Sequence, residues 1–132
     1  MKSIIQFYSS RKNAFKYAFQ GLFYLLKTQR NSWVHAAATV CVILLAAWLS
    51  LGITDWAILI LTIASVWTAE AVNTAIEVTV DLSSPQIQPL AKIAKDSSAA
   101  AVLIAAIASV IIGLLILGPP LYQRLLFWFI SR

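Results

Sequence analysis

Apolar and polar positions are organised on two scales along the chain. On the long scale, residues 31–54 contain no Lys, Arg, Asp or Glu. A run of about 20 apolar residues is enough to cross the hydrocarbon core of a bilayer, so this stretch predicts a first span over about 33–51. The segment "LGITDW" then supplies a turn with Gly52 and Asp55. A second span is predicted over about 56–80, uncharged until Glu70. The two prolines of "DLSSPQIQPL" stop a helix, and a third span rich in Ala, Ile, Val and Leu follows over about 97–117. "GPP" at 118–120 is expected to end it, leaving an apolar, aromatic tail over 118–132 that reads as an interfacial helix. On the short scale, Phe15, Phe19, Leu22 and Leu26 recur at helical spacing with Ala18 beside them. That pattern predicts an amphipathic helix over about 2–30, lying on the membrane surface. The fold class is therefore all-α, with three transmembrane helices and an N-terminal surface helix in one domain over 1–132.

Composition supports lipid as the solvent. Of 132 residues, 61% are hydrophobic and 11% charged, against about 25% charged in soluble domains. The net charge of +5 points to anionic headgroups; the basic residues adjoin apolar spans, which argues against nucleic acid as a partner. Six basic residues and no acidic one lie in 2–30. This bias expects a cytoplasmic N-terminus, with the first turn outside and the loop 82–96 inside. Lys92 and Lys95 in that loop agree, whereas Arg124 and Arg132 fall on the other side. Trp33, Trp48 and Trp56 sit at the predicted boundaries, as aromatic belts prefer. A cleavable targeting segment would also be basic and acid-poor, but a continuous apolar signal core is missing here. Cys41, the single cysteine, rules out an intrachain disulfide and is expected to pack in the interior.

One part of the second span does not belong in hydrocarbon. "AEAVNTAIEVTVDL" holds Glu70, Asn73, Glu77 and Asp81, although one charge near the bilayer centre costs roughly 2.5–3.5 kcal/mol. Their spacings of 3, 4 and 4 place them on one helix face, with Thr74 beside them. Ala71, Val72, Ile76 and Val78 take other directions. At about 1.5 Å per residue, Glu70 lies about 10 Å deeper than Glu77. Three readings of the stripe stand level on spacing alone. It can be polar glue between helices, an ion or proton pathway, or a reaction site. In the last case, carboxylates near Lys95 and Asp96 would hold Mg²⁺ and a polyphosphate, and a deeper carboxylate would take a proton from a lipid hydroxyl. The phosphate-binding and catalytic-loop motifs of soluble kinases do not occur.

"AEAVNTAIEVTVDL" followed by "PLAKIAKDSSAAAVLIAAI" resembles the bacterial diacylglycerol kinase and undecaprenol kinase family of small integral-membrane lipid kinases. Glu70, Asn73, Thr74, Ala75, Ile76, Glu77, Val80 and Asp81 fit the first part of its pattern, and Ala94, Lys95 and Asp96 the second. The resemblance extends upstream through "YAFQGLFYLLKTQRNSWVH". It implies a homotrimer in the bacterial plasma membrane that transfers the γ-phosphate of ATP to a lipid alcohol with Mg²⁺. By this resemblance Glu70 is the general base and meets the lipid, Asn73 positions the reacting groups, and Glu77 binds metal and nucleotide. Lys95 and Asp96 contact nucleotide phosphates, Asp81 supports the cytoplasmic end, and Ser98 faces substrate or nucleotide. Gln29 stands where many members carry a second metal-binding Glu, a departure that weakens the implied metal site. His35 matches a His of the undecaprenol-type branch and reads as an interfacial hydrogen-bonding residue. Arg11 and Lys12 read as contacts to lipid phosphate, and Lys92 as solvated. A small oligomeric transporter or proton-relay protein would also carry such a stripe, and so would an inactive relative, for which Gln29 is the one hint.

Overall fold

The computed structural model describes residues 2–84 and 88–131, with side chains described from residue 13 onward. Arg11, Lys12 and the loop proline Pro85 lie outside the described side chains. Within these bounds the chain forms α1 (Lys2–Thr28), α2 (Arg30–Trp48), α3 (Ile53–Ser83) and α4 (Pro89–Ile130). The last three are long and apolar enough to cross a membrane. The described part is helical throughout, as the periodicity predicts.

The helix ends follow local chemistry. Gln29 is extended, at φ −96° and ψ 113°, and this one residue turns the surface helix into the first span. At the far end, α2 closes with a reciprocal pair of backbone bonds. Leu51 N–H donates to Ala46 O at 3.3 Å and Ser50 N–H to Ala47 O at 3.1 Å. This motif needs a left-handed residue, usually glycine. Ser50 takes that role at φ 56°, while Gly52 has an ordinary φ of −69°. Pro89 starts α4 within its first turn, where a missing N–H leaves no helical bond unmade.

α3 is the centre of the bundle. Leu59, Thr62, Val66, Glu70, Asn73 and Thr74 are buried, at steps of three and four residues that trace one seam. The acidic stripe continues this seam towards the end of the helix. α4 packs along it through Ser98, Val102 and Leu117. Near the α2–α3 turn, Ala46, Leu49, Leu59 and Leu117 form an apolar cluster, flanked by Val42, Trp56 and Leu121.

Two expectations are corrected. The third span does not end at "GPP": α4 runs through Pro119 and Pro120 to Ile130, so the tail is not a separate interfacial helix. Proline at these positions removes two helical bonds. Gly118 has no Cβ to clash with the following ring, and tertiary contacts hold both sides of the pair. Leu117 and Leu121 rest on the apolar cluster, and the Arg124 guanidinium lies 5.0 Å from the centre of the Trp48 indole. Cys41 is exposed, because α2 buries the face carrying Ala46 and Cys41 points elsewhere. Phe15 and Phe19 are exposed too, whereas Leu25 anchors α1 in the protein.

Candidate active site

The polar residues of α2 and α3 meet in a ladder. Because the two helices run antiparallel, steps along one are matched by reverse steps along the other. Gln29 Nε2 donates to Glu77 Oε2 at 2.8 Å. Two turns further along α2, His35 Nε2 lies 3.0 Å from Glu70 Oε1. One turn beyond that, Trp67 Nε1 donates to Thr39 Oγ1 at 3.2 Å. Between the first two rungs, Ser32 and Thr74 are buried, and their hydroxyls have no hydrogen-bond partner among the described residues.

The stripe is not uniform. Glu70 is 2% exposed and Asn73 7%, Glu77 is half-buried, and Asp81 is exposed. Asn73 links two groups. Its Nδ2 donates to Glu77 Oε1 at 3.2 Å, and its Oδ1 accepts from Ser98 Oγ at 2.7 Å. The amide therefore ties α4 to the carboxylate of α3, and both Glu77 oxygens receive side-chain N–H donors. The Gln29 contact also brings Glu77 to the N-terminus of α2, whose unpaired backbone N–H groups favour negative charge.

The Glu70 contact is of a different kind. His35 is within ion-pair distance, yet Glu70 Oε1 is a buried oxygen without a formed hydrogen bond. The 3.0 Å separation and the unmet bond geometry describe an imidazole that is close but not aligned. Glu70, Asn73 and Glu77 line a cavity of about 300 Å³ with Gln29, Asn31 and His35. Ala99, Val102, Leu103 and Ala106 of α4 supply its apolar wall.

The other expected site residues lie outside this lining. Lys95 Nζ donates to both oxygens of Asp81, at 2.9 and 3.1 Å. Asp96 pairs with Lys92 one turn away, and both side chains remain largely solvent-exposed. Both pairs are exposed to a large degree; the Lys95–Asp81 pair joins the end of α3 to the start of α4, whereas Lys92–Asp96 lies within α4. Exposed pairs of this kind are screened by solvent and contribute little to stability. Ser98 is buried on Asn73 and does not line the cavity.

The metal expectation can be set against these groups. No cluster of three or more His, Cys, Asp or Glu suited to a metal occurs among the described residues. Mg²⁺ is nevertheless commonly held by one or two carboxylates, with phosphates and waters completing its shell. Glu77 with the amide oxygen of Gln29 fits such a site, provided the Gln29 amide turns its carbonyl inward. As placed, its N–H occupies one of the two Glu77 oxygens.

Reading the sequence singled out His35 without its partner and did not pick out Thr39, Trp67 or Ser32. A signal for them exists. Gln29, Ser32, His35 and Thr39 recur at steps of three and four, so the first span carries a neutral polar stripe that mirrors the acidic one.

Comparison with known proteins gives a consistent picture. Residues 16–117 match the family described as prokaryotic diacylglycerol kinase. The chain is 44% identical over 108 residues to the undecaprenol kinase of Bacillus subtilis (strain 168), covering 82% of this chain and 88% of that protein. It is 48% identical over 109 residues to the diacylglycerol kinase of Synechocystis sp. (strain ATCC 27184 / PCC 6803 / Kazusa), covering 82% of this chain and 62% of that protein. The diacylglycerol kinase of Helicobacter pylori (strain ATCC 700392 / 26695) is 33% identical over 101 residues.

Proposed function

The chain belongs to the prokaryotic diacylglycerol kinase family, a family of membrane lipid kinases, and on that premise we propose that it transfers the γ-phosphate of ATP to the hydroxyl of a lipid alcohol. The observation that carries this reading is the buried Glu70 carboxylate in the wall of a cavity that also holds Asn73 and Glu77. A lipid alcohol reaches the cavity from within the bilayer, and nucleotide from the aqueous end near Asp81 and Lys95. Glu70 accepts the hydroxyl proton as the lipid oxygen bonds to the γ-phosphorus. The bond between that phosphorus and the bridging oxygen breaks, and ADP leaves with the electron pair. Asn73, held by Ser98 and Glu77, keeps the base and the phosphate-binding end in fixed relation.

Glu77 and Gln29 would hold Mg²⁺, which when bound neutralises phosphate charge. Lys95 and Asp96 serve the nucleotide by opening their surface pairs. Phosphoryl transfer rests mainly on positioning and charge neutralisation, which suits a site with few reactive groups. Diacylglycerol and undecaprenol are the two substrates to weigh, since relatives of similar identity carry both names. We place the protein in the bacterial plasma membrane with its N-terminus in the cytoplasm, as a homotrimer whose exposed apolar faces meet lipid or sister copies. A transport role is less well supported. The polar ladder stops at Thr39 and Trp67, and the bundle beyond it closes with the apolar cluster.

The experiment uses purified protein in bilayers with labelled ATP, Mg²⁺ and a panel of diacylglycerol and undecaprenol. Label appearing on one or both lipids supports the reading. Label on neither, in protein that binds MgATP, removes it.

A further inference from the structure

His35 Nε2 is the one side-chain nitrogen within ion-pair distance of Glu70 among the described residues, at 3.0 Å. The glutamate itself is 2% exposed, so its carboxylate takes its direction from neighbouring side chains more than from bulk solvent. A buried carboxylate without a fixed partner is costly, and a base free to rotate loses the alignment that proton transfer needs. The imidazole is anchored through its own backbone. Thr39 Oγ1 donates to the His35 carbonyl at 2.7 Å and accepts from Trp67 Nε1 of α3 at 3.2 Å. The turn of α2 that carries His35 is thus tied to α3 one turn from Glu70. The ring borders the cavity that holds Glu70, and on another side a small cavity of about 70 Å³ beside Thr39, Thr62 and Ser109. The ring therefore borders open space on two sides.

We infer that His35 is the positioning residue of the base, holding the Glu70 carboxylate in the direction from which it meets the lipid hydroxyl. Glu77 is served by different donors, Gln29 and Asn73. The first span therefore assigns one side chain to each carboxylate: Gln29 to the one at the nucleotide end, and His35 to the deep one. This inference rests on the lipid-kinase reading and on Glu70 as its base.

The test is a double-mutant cycle in the full-length protein in bilayers. His35→Leu removes the partner, and His35→Gln keeps a side-chain N–H. His35→Leu is expected to lower kcat on the order of 10–100-fold, the usual cost of removing a group that orients a reacting one. KM for MgATP and MgATP affinity measured by direct binding should not change. His35→Gln should recover part of the lost rate. In a Glu70→Gln background, His35→Leu should cost almost nothing more, because the two residues act as a unit. An equal loss in both backgrounds would overturn the inference and assign His35 to packing, as would an unchanged kcat in His35→Leu. If the leucine variant does not fold, the glutamine variant carries the cycle alone: a loss present beside Glu70 and absent beside Gln at position 70 supports the inference, and any other outcome overturns it. Near-normal turnover of Glu70→Gln alone would instead remove the base assignment beneath it.

Discussion

The α2–α3 interface has two halves with one register and opposite chemistry. Towards the loop 84–88, its rungs are Gln29 with Glu77 and His35 with Glu70. Towards the α2–α3 turn, Ala46, Leu49 and Leu59 meet instead, with Leu117 of α4. Both halves use the same helix faces at the same spacing. In lipid, apolar surface gains little from leaving its solvent, so packing and internal hydrogen bonds must hold helices together. The apolar half does so through close contact around Ala46, which is fully buried. The polar half does so through side chains whose charge also equips it for chemistry. Comparing the halves separates what only holds the bundle from what is proposed to react.

The largest expected effect lies in the polar half. Glu70→Gln keeps size and hydrogen bonding but removes the base, and should lower turnover by about 10²–10⁴-fold. Its MgATP affinity and folding should stay near wild type. Glu77→Gln should do the reverse and weaken MgATP binding, since it removes charge at the end proposed to take the nucleotide. Turnover and nucleotide affinity measured on both proteins check the division; weakened MgATP binding in Glu70→Gln would blur it.

The apolar half should respond in stability instead. Leu59 is 2% exposed, and Leu59→Ala is expected to cost about 2 kcal/mol, near the low end for such cavities in soluble cores. The reason for the low end is that lipid tails are as apolar as leucine, which leaves mainly the packing loss. Unfolding in mixed micelles measures the cost, and the folded fraction should turn over normally. Ser50→Gly tests the turn beside that half. Replacing the left-handed serine should stabilise by about 1 kcal/mol, the lower end of the penalty for an L-residue there.

Two smaller changes sharpen the boundary between the halves. Thr39→Val removes the last polar rung, and should cost about 0.6 kcal/mol, the mean for interhelical hydrogen bonds in a membrane. Gln29→Glu adds a carboxylate at the proposed nucleotide end and removes the N–H that now occupies Glu77. It should lower the Mg²⁺ concentration needed for half-maximal activity; an unchanged metal dependence would show that residue 29 supplies no ligand.

Much of this was legible from residue order alone. The three spans, the surface helix and the acidic face follow from spacing, because a helix places residues three and four apart on one side whatever it packs against. Family membership rests on the same local strings around Glu70, Glu77 and Lys95. The depth order of Glu70 and Glu77 is also a matter of helix rise. What spacing cannot state is which face meets which. His35 and Glu70 are far apart in the chain, and only the antiparallel register of α2 against α3 brings them to 3.0 Å. The same register makes Gln29 a hydrogen-bond donor to Glu77. Local propensity also misjudged the tail. Pro119 and Pro120 break a helix considered alone, yet Leu117, Leu121 and Arg124 are each held by partners from other helices. The sequence by itself determined the elements and their polar faces, which depend on neighbours in the chain. Tertiary structure alone decided the pairing of those faces and the path through the prolines, because both depend on contacts between residues that are distant in sequence.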